Sequence, residues 1–103
     1  MAPVPNPRLD LQEILVGITP NVYFQPPANT QLEFPCIVYS RSAIRTEFAD
    51  NSPYARKKRY QVTVIDENPD STIPDDVGAL PMCSFERFFT ADKVNHDVFS
   101  LFF

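Results

Sequence analysis

A chain of 103 residues with a net charge of −4, nine Phe and four Tyr has length for one domain with a modest core, and is too aromatic for an intrinsically disordered segment. The acidic balance disfavours general nucleic-acid affinity, no apolar run approaches the ~18 residues of a membrane span, and two glycines leave little room for a phosphate-cradling loop. Eleven prolines beside those two glycines predict stiff, extended connections and few tight turns at positive φ.

Residues 1–7, Met1-Ala2-Pro3-Val4-Pro5-Asn6-Pro7, lack the apolar stretch of a signal peptide and read as an extended arm before a single domain over 8–103. Pro7 to Val16 reads as a helix, with Leu9, Leu11, Ile14, Leu15 and Ile18 at helical spacing and Gly17 as its stop. Asn21–Gln25 is a short strand ended by Pro26-Pro27. Phe34–Phe48 is a long strand. Its apolar start, Phe34 to Tyr39, predicts cover on both faces, and its second half places Arg41, Arg45 and Glu47 in one phase. Ala49–Tyr54 is a loop by composition and, with Ala55 and Arg56, the tip of a long hairpin. Lys57–Asp66 returns as the second long strand, with Tyr60, Val62 and Val64 on one face and Gln61, Thr63 and Ile65 on the other.

Asn68-Pro69-Asp70-Ser71 breaks that strand, and Asp70 or Ser71 suits the N-cap of a short helix over Asp75–Leu80. Met82–Thr90 follows as a strand with Phe85, Arg87 and Phe89 in one phase and Glu86 and Phe88 in the other. After a turn at Ala91-Asp92-Lys93, Val94–Phe103 is the last strand. This order predicts an α+β fold: a mainly antiparallel sheet of four to five strands, an N-terminal helix and a short second helix on one face, and a long β-hairpin extension.

Nothing local supports catalysis. His96 is the only histidine, and Asp97 beside it on a strand points to the opposite face. Cys36 and Cys83 read as buried thiols of a reducing compartment, with a disulfide between adjacent strands as the alternative. Asp66, Glu67, Asp70, Asp75 and Asp76 lack calcium-loop spacing and read as a solvated turn and helix start. No catalytic residue, cofactor or metal is therefore expected.

Two stretches are candidates for binding a partner. Arg56, Lys57, Lys58 and Arg59 hold four of the nine cations, with Arg41 and Arg45 near them in the hairpin. They read as a solvated strand end or as an electrostatic docking patch, and the acidic balance of the chain favours a protein over nucleic acid as its target. Phe99, Leu101 and Phe103 end the chain on apolar residues that read as a core strand or as a subunit contact.

Four stretches together resemble the small tail terminator (tail completion) proteins of long-tailed bacteriophages and their minor-tail relatives. They are Asn21–Pro27, Leu32–Tyr39, Tyr60–Asp66 with Pro69-Asp70-Ser71, and Phe85-Glu86-Arg87 paired with Asn95–Phe99. The resemblance implies a homo-oligomeric ring, usually a hexamer, on the head-proximal end of the tail tube. Such a ring stops tube growth and joins the head. The implied partners are further copies of the chain, the tail tube protein and the head–tail connector or adaptor proteins. DNA would pass through the lumen without sequence-specific binding, no membrane is involved, and assembly into the virion takes place in the host cytoplasm. The chain is shorter than many relatives and its second helix looks clipped. This keeps a connector or adaptor role open, beside a small non-viral binding domain or an enzyme using His96 or a thiol.

Overall fold

The computed structural model describes residues 7–49 and 52–103, with side chains described for 8–42 and 58–103. Helix α1 (Pro7–Ile18) starts on a proline, whose missing N–H would have no helical acceptor. Leu11 and Leu15 are fully buried and Ile18 packs beside them, whereas Leu9 and Ile14 are exposed. The helix runs through Gly17, and the Thr19 amide still donates to the Leu15 carbonyl at 3.1 Å. Packing of the partly buried Ile18 at the next i+3 position accounts for these two extra residues.

Strand β1 (Val22–Phe24) runs parallel to β2 (Cys36–Ala49), with Tyr23 opposite Val38. β2 pairs antiparallel with β3 (Ser52–Asp66), β3 with β5 (Val94–Phe102), and β5 with β4 (Cys83–Ala91). The mixed five-stranded sheet has the order β1-β2-β3-β5-β4. β3 and β4 are thus parallel with β5 between them, and α2 (Ile73–Gly78) lies on the crossover connecting them.

Both helices cover the same face. Leu11, Leu15 and Val77 pack on Ile37, Tyr39, Tyr60, Val62, Val64, Phe99 and Leu101. The opposite face carries a smaller cluster of Cys36, Ile65 and Val94, with Tyr23, Leu32 and Val38 against it. Cys36 and Ile37 are both buried, one on each face, as the apolar start of β2 predicts; the strand itself begins at Cys36, after a cis Phe34–Pro35 peptide.

The turns differ most from expectation. Residues 52–56 are strand: Thr46 pairs with Arg56, Glu47 with Ala55, and Ala49 with Ser52. A register shift between Glu47 and Phe48 leaves Tyr54 as the extra residue, and the neighbouring Pro53 is tolerated at such a bulge because the ladder is already interrupted. Of the expected tip, Asp50 and Asn51 lie outside the described residues.

The connection from β4 to β5 is a two-residue turn, with Ala91 opposite Val94 and positive φ at Asp92 (51°) and Lys93 (67°). Gln25 and Met82 also have positive φ, and neither glycine does. Scarce glycine therefore did not exclude a primed turn. The right-handed twist of the paired strands favours it, and Asp tolerates the left-handed region.

α2 starts two residues earlier than expected. Its N-cap is Thr72, which makes no side-chain capping bond, in place of Asp70 or Ser71. Ser71 Oγ accepts from the Ile73 amide at 3.2 Å, a local turn that sets the helix entry.

Beyond Arg59, β3 has no β5 partner, and β1 covers only Ile37–Tyr39 of β2. The two long strands continue past the sheet as a ribbon of residues 43–49 and 52–58, ~24 Å long at ~3.4 Å per residue. The radius of gyration is 15.1 Å, against ~13 Å for a compact chain this long. Among the described residues, no helix is long and apolar enough to cross a membrane.

Candidate functional site

The cationic stretch sits at the root of the ribbon. Arg41 and Arg59 are exposed and Lys58 is half-buried. Arg41 pairs with Tyr60, Ala43 with Arg59, and the register shifts at Ser42 between them. Ser42 clamps this bulge: its Oγ donates to the Arg59 carbonyl at 3.1 Å and accepts from Arg59 Nε at 3.0 Å. The bulge also breaks the single phase expected through Arg41, Arg45 and Glu47, because it moves Arg41 and Arg45 to different faces of the ladder. Further out, Arg45 lies opposite Lys57 and Thr46 opposite Arg56; the side chains of Arg45, Arg56 and Lys57 lie outside the described residues.

The C-terminal candidates fall in the core. Phe99 is 4% exposed and Leu101 1%, under the helices. Phe103 is half-buried against the same cluster, and its amide donates to the Lys58 carbonyl at 3.0 Å. The domain itself covers Phe99 and Leu101, so as a folded subunit it has almost no surface there to offer a neighbour. The physical reason is sheet order: β5 is flanked on both sides by β3 and β4.

The exposed aromatics lie instead on β4, the nine-residue edge strand. Phe85 is 57% exposed, Phe88 54% and Met82 55%, and Phe89 is exposed as well. A register shift between Phe85 and Arg87 reverses the expected phases. Phe85 pairs with Phe99 and Phe88 with Asp97 on the helix face, whereas Arg87 and Phe89 pair with Val98 and His96 on the other. The Phe85 ring meets Phe99 edge-on at 5.5 Å. Adjacent Phe88 and Phe89 were the available sequence signal, since neighbours on a strand cannot share one core face.

A groove runs between α2 and β4. Phe85 and Phe99 line one part of it, opposite Pro74, Gly78 and Ala79. Asp75 and Asp97 continue it into a crevice holding Asp66, Asp70 and Phe88. Burial, then the Asp75 carboxylate, push the Asp97 carboxyl above the usual range, while His96 opposes them. Asp66 Oδ1 accepts from the Asn68 amide and Asn68 Oδ1 from the Asp70 amide, both at 2.9 Å, which folds the acidic turn on itself. Glu67 and Asp76 are exposed. Among the described residues, no group of three or more His, Cys, Asp or Glu is arranged to hold a metal ion.

His96 lies on the opposite face from Asp97, its ring stacked on Phe89 at 4.5 Å and its Nδ1 3.2 Å from the Val94 carbonyl. No nucleophile stands beside it in these contacts. Burial, with a smaller contribution from Asp66, pushes the Cys36 thiol up to about 11, and burial also raises that of Cys83. The two thiols are on β2 and β4, with β3 and β5 between them. Three strand spacings of ~4.8 Å set them at least ~14 Å apart, which excludes the adjacent-strand disulfide.

These surfaces are suited to binding: an apolar groove rimmed by carboxylates near one end of the sheet, and a cationic ribbon beyond the other. No protein family matches the chain, and no curated protein is similar to it.

Proposed function

We propose that the chain is a structural virion protein, a tail terminator whose copies form a ring, a hexamer by the resemblance, on the head-proximal end of a long-tailed phage's tail tube. The observation that carries the reading is the pair of uncovered and dissimilar surfaces, the ribbon and the β4 edge with its groove. Two different surfaces on one subunit make heterologous contacts, and those close into a ring when the rotation between copies permits. A terminator then needs one ring face that matches the tube and one that does not continue it. The ribbon reaches far enough to touch a neighbouring ring, so Arg41, Arg45 and Arg56 to Arg59 are the residues assigned to partner binding.

The six-residue α2, shorter than the resemblance implies, favours a second reading as a head–tail connector or adaptor. Electron microscopy of particles carrying a labelled copy of this chain tests both. Label at the tube end with over-long tails in its absence supports the terminator. Label on the head side with tails of normal length supports the connector, and its absence from particles rejects both.

A further inference from the structure

We infer that the cationic β2–β3 ribbon of one copy docks into the groove between β4 and α2 of a second copy, head to tail. This rests on the self-assembling reading above and specifies its contact.

The charge of the chain is partitioned. Between Arg41 and Arg59 lie six of the nine Lys and Arg but two of the thirteen Asp and Glu, so this stretch carries +4 and the rest −8. The groove is the complement. Phe85 and Phe88 stand in it more than half exposed, Asp66, Asp70, Asp75 and Asp97 rim it, and among the described residues no Lys or Arg lines it.

The two surfaces cannot meet within one copy. Arg59 and Asp66 mark opposite ends of the β3–β5 pairing, ~24 Å apart, and the ribbon continues away from the acidic end. That separation is about three Debye lengths at physiological salt. Like surfaces repel: ribbon on ribbon sets cations against cations, and groove on groove sets carboxylates against carboxylates. Ribbon against groove is the contact that pairs opposite charges.

The ribbon's own weakness points the same way. A two-stranded ribbon is marginal by itself in water. A carboxylate-rimmed groove supplies both the cover and the counter-charge.

The test uses the full chain in three forms: wild type, Lys58→Glu/Arg59→Glu, and Asp70→Lys/Asp75→Lys, compared by sedimentation velocity and native mass spectrometry. The wild type is expected to oligomerise, more strongly at low salt. Each variant should associate about 100-fold more weakly, because it sets like charges against each other. An equimolar mixture of the two variants should form a species containing both, since one native ribbon and one native groove then remain. Circular dichroism melts check that each variant is folded. Independently of the variants, carbodiimide cross-linking of mixed isotope-labelled and unlabelled wild type should join Lys57 or Lys58 of one copy to Asp70 or Asp75 of another. Variants that oligomerise like the wild type, or cross-links confined to single copies, overturn the contact and leave self-assembly standing. A wild type that stays monomeric at every concentration overturns both.

Discussion

Val77→Ala tests how α2 is fastened. Val77 is 0% exposed and is the only buried residue of that helix. Removing two methyl groups forfeits about 1.6 kcal/mol of transfer free energy at ~0.8 kcal/mol each. Incomplete collapse of the site adds about 0.5–1 kcal/mol at ~24 cal/mol per Å³ of residual cavity, while the better helix propensity of alanine returns about 0.5 kcal/mol. The net loss is about 1.5–2 kcal/mol, which in a domain this small lowers Tm by about 6–16 °C. Urea and thermal unfolding followed by circular dichroism measure it, with exposed Glu67→Gln expected to stay within ~0.5 kcal/mol of wild type. Because α2 is one wall of the groove, its amides should also lose hydrogen-exchange protection ahead of those of β3. A loss below ~0.5 kcal/mol would refute the docking of α2 through Val77.

Three further outcomes follow from local geometry. Lys93→Gly should stabilise the chain by about 0.5–1 kcal/mol, since Lys93 holds φ of 67° at a cost that glycine does not bear; an unchanged or lower Tm contradicts the turn geometry. Tyr39→Phe should destabilise by about 1 kcal/mol, because the buried ring's hydroxyl donates to Gln12 Oε1 at 2.5 Å, and the urea midpoint reads the loss. The fold favours the neutral Cys36 thiol, whose pKa rises from 9.0 to about 11. Its contribution to stability is complete below the unfolded value near 9 and is lost as pH rises toward 11. The urea midpoint should therefore fall more steeply over that window in wild type than in Cys36→Ala, and equal slopes would remove Cys36 from the account.

Elements with a strong one-face pattern were legible in the chain. Tyr60, Val62 and Val64 alternate cleanly because β3 is a central strand whose two faces differ, and Leu11, Leu15 and Ile18 repeat because α1 lies along a sheet. The shifts at Ser42, Tyr54 and Glu86 were not legible. A bulge is a relation between two strands, and it leaves each strand's composition unchanged. The positive-φ turn at Asp92-Lys93 was hidden for a similar reason, because strand pairing imposes it on residues that do not prefer it.

The candidate surfaces divide in the same way. Phe99 and Leu101 resemble Phe85 and Phe88 as sequence, since all are large apolar residues on strands near the C-terminus. What separates core from surface is that β5 inserts between β3 and β4 and leaves β4 at the edge. Hydrophobicity is carried by each residue, but burial depends on neighbours distant along the chain. The sequence by itself determined the order of elements, the single cationic stretch and the lack of a recognisable catalytic motif. The tertiary structure alone decided the order of the strands, and with it that the aromatics of β4 face outward and that cations and carboxylates gather toward opposite ends of β3.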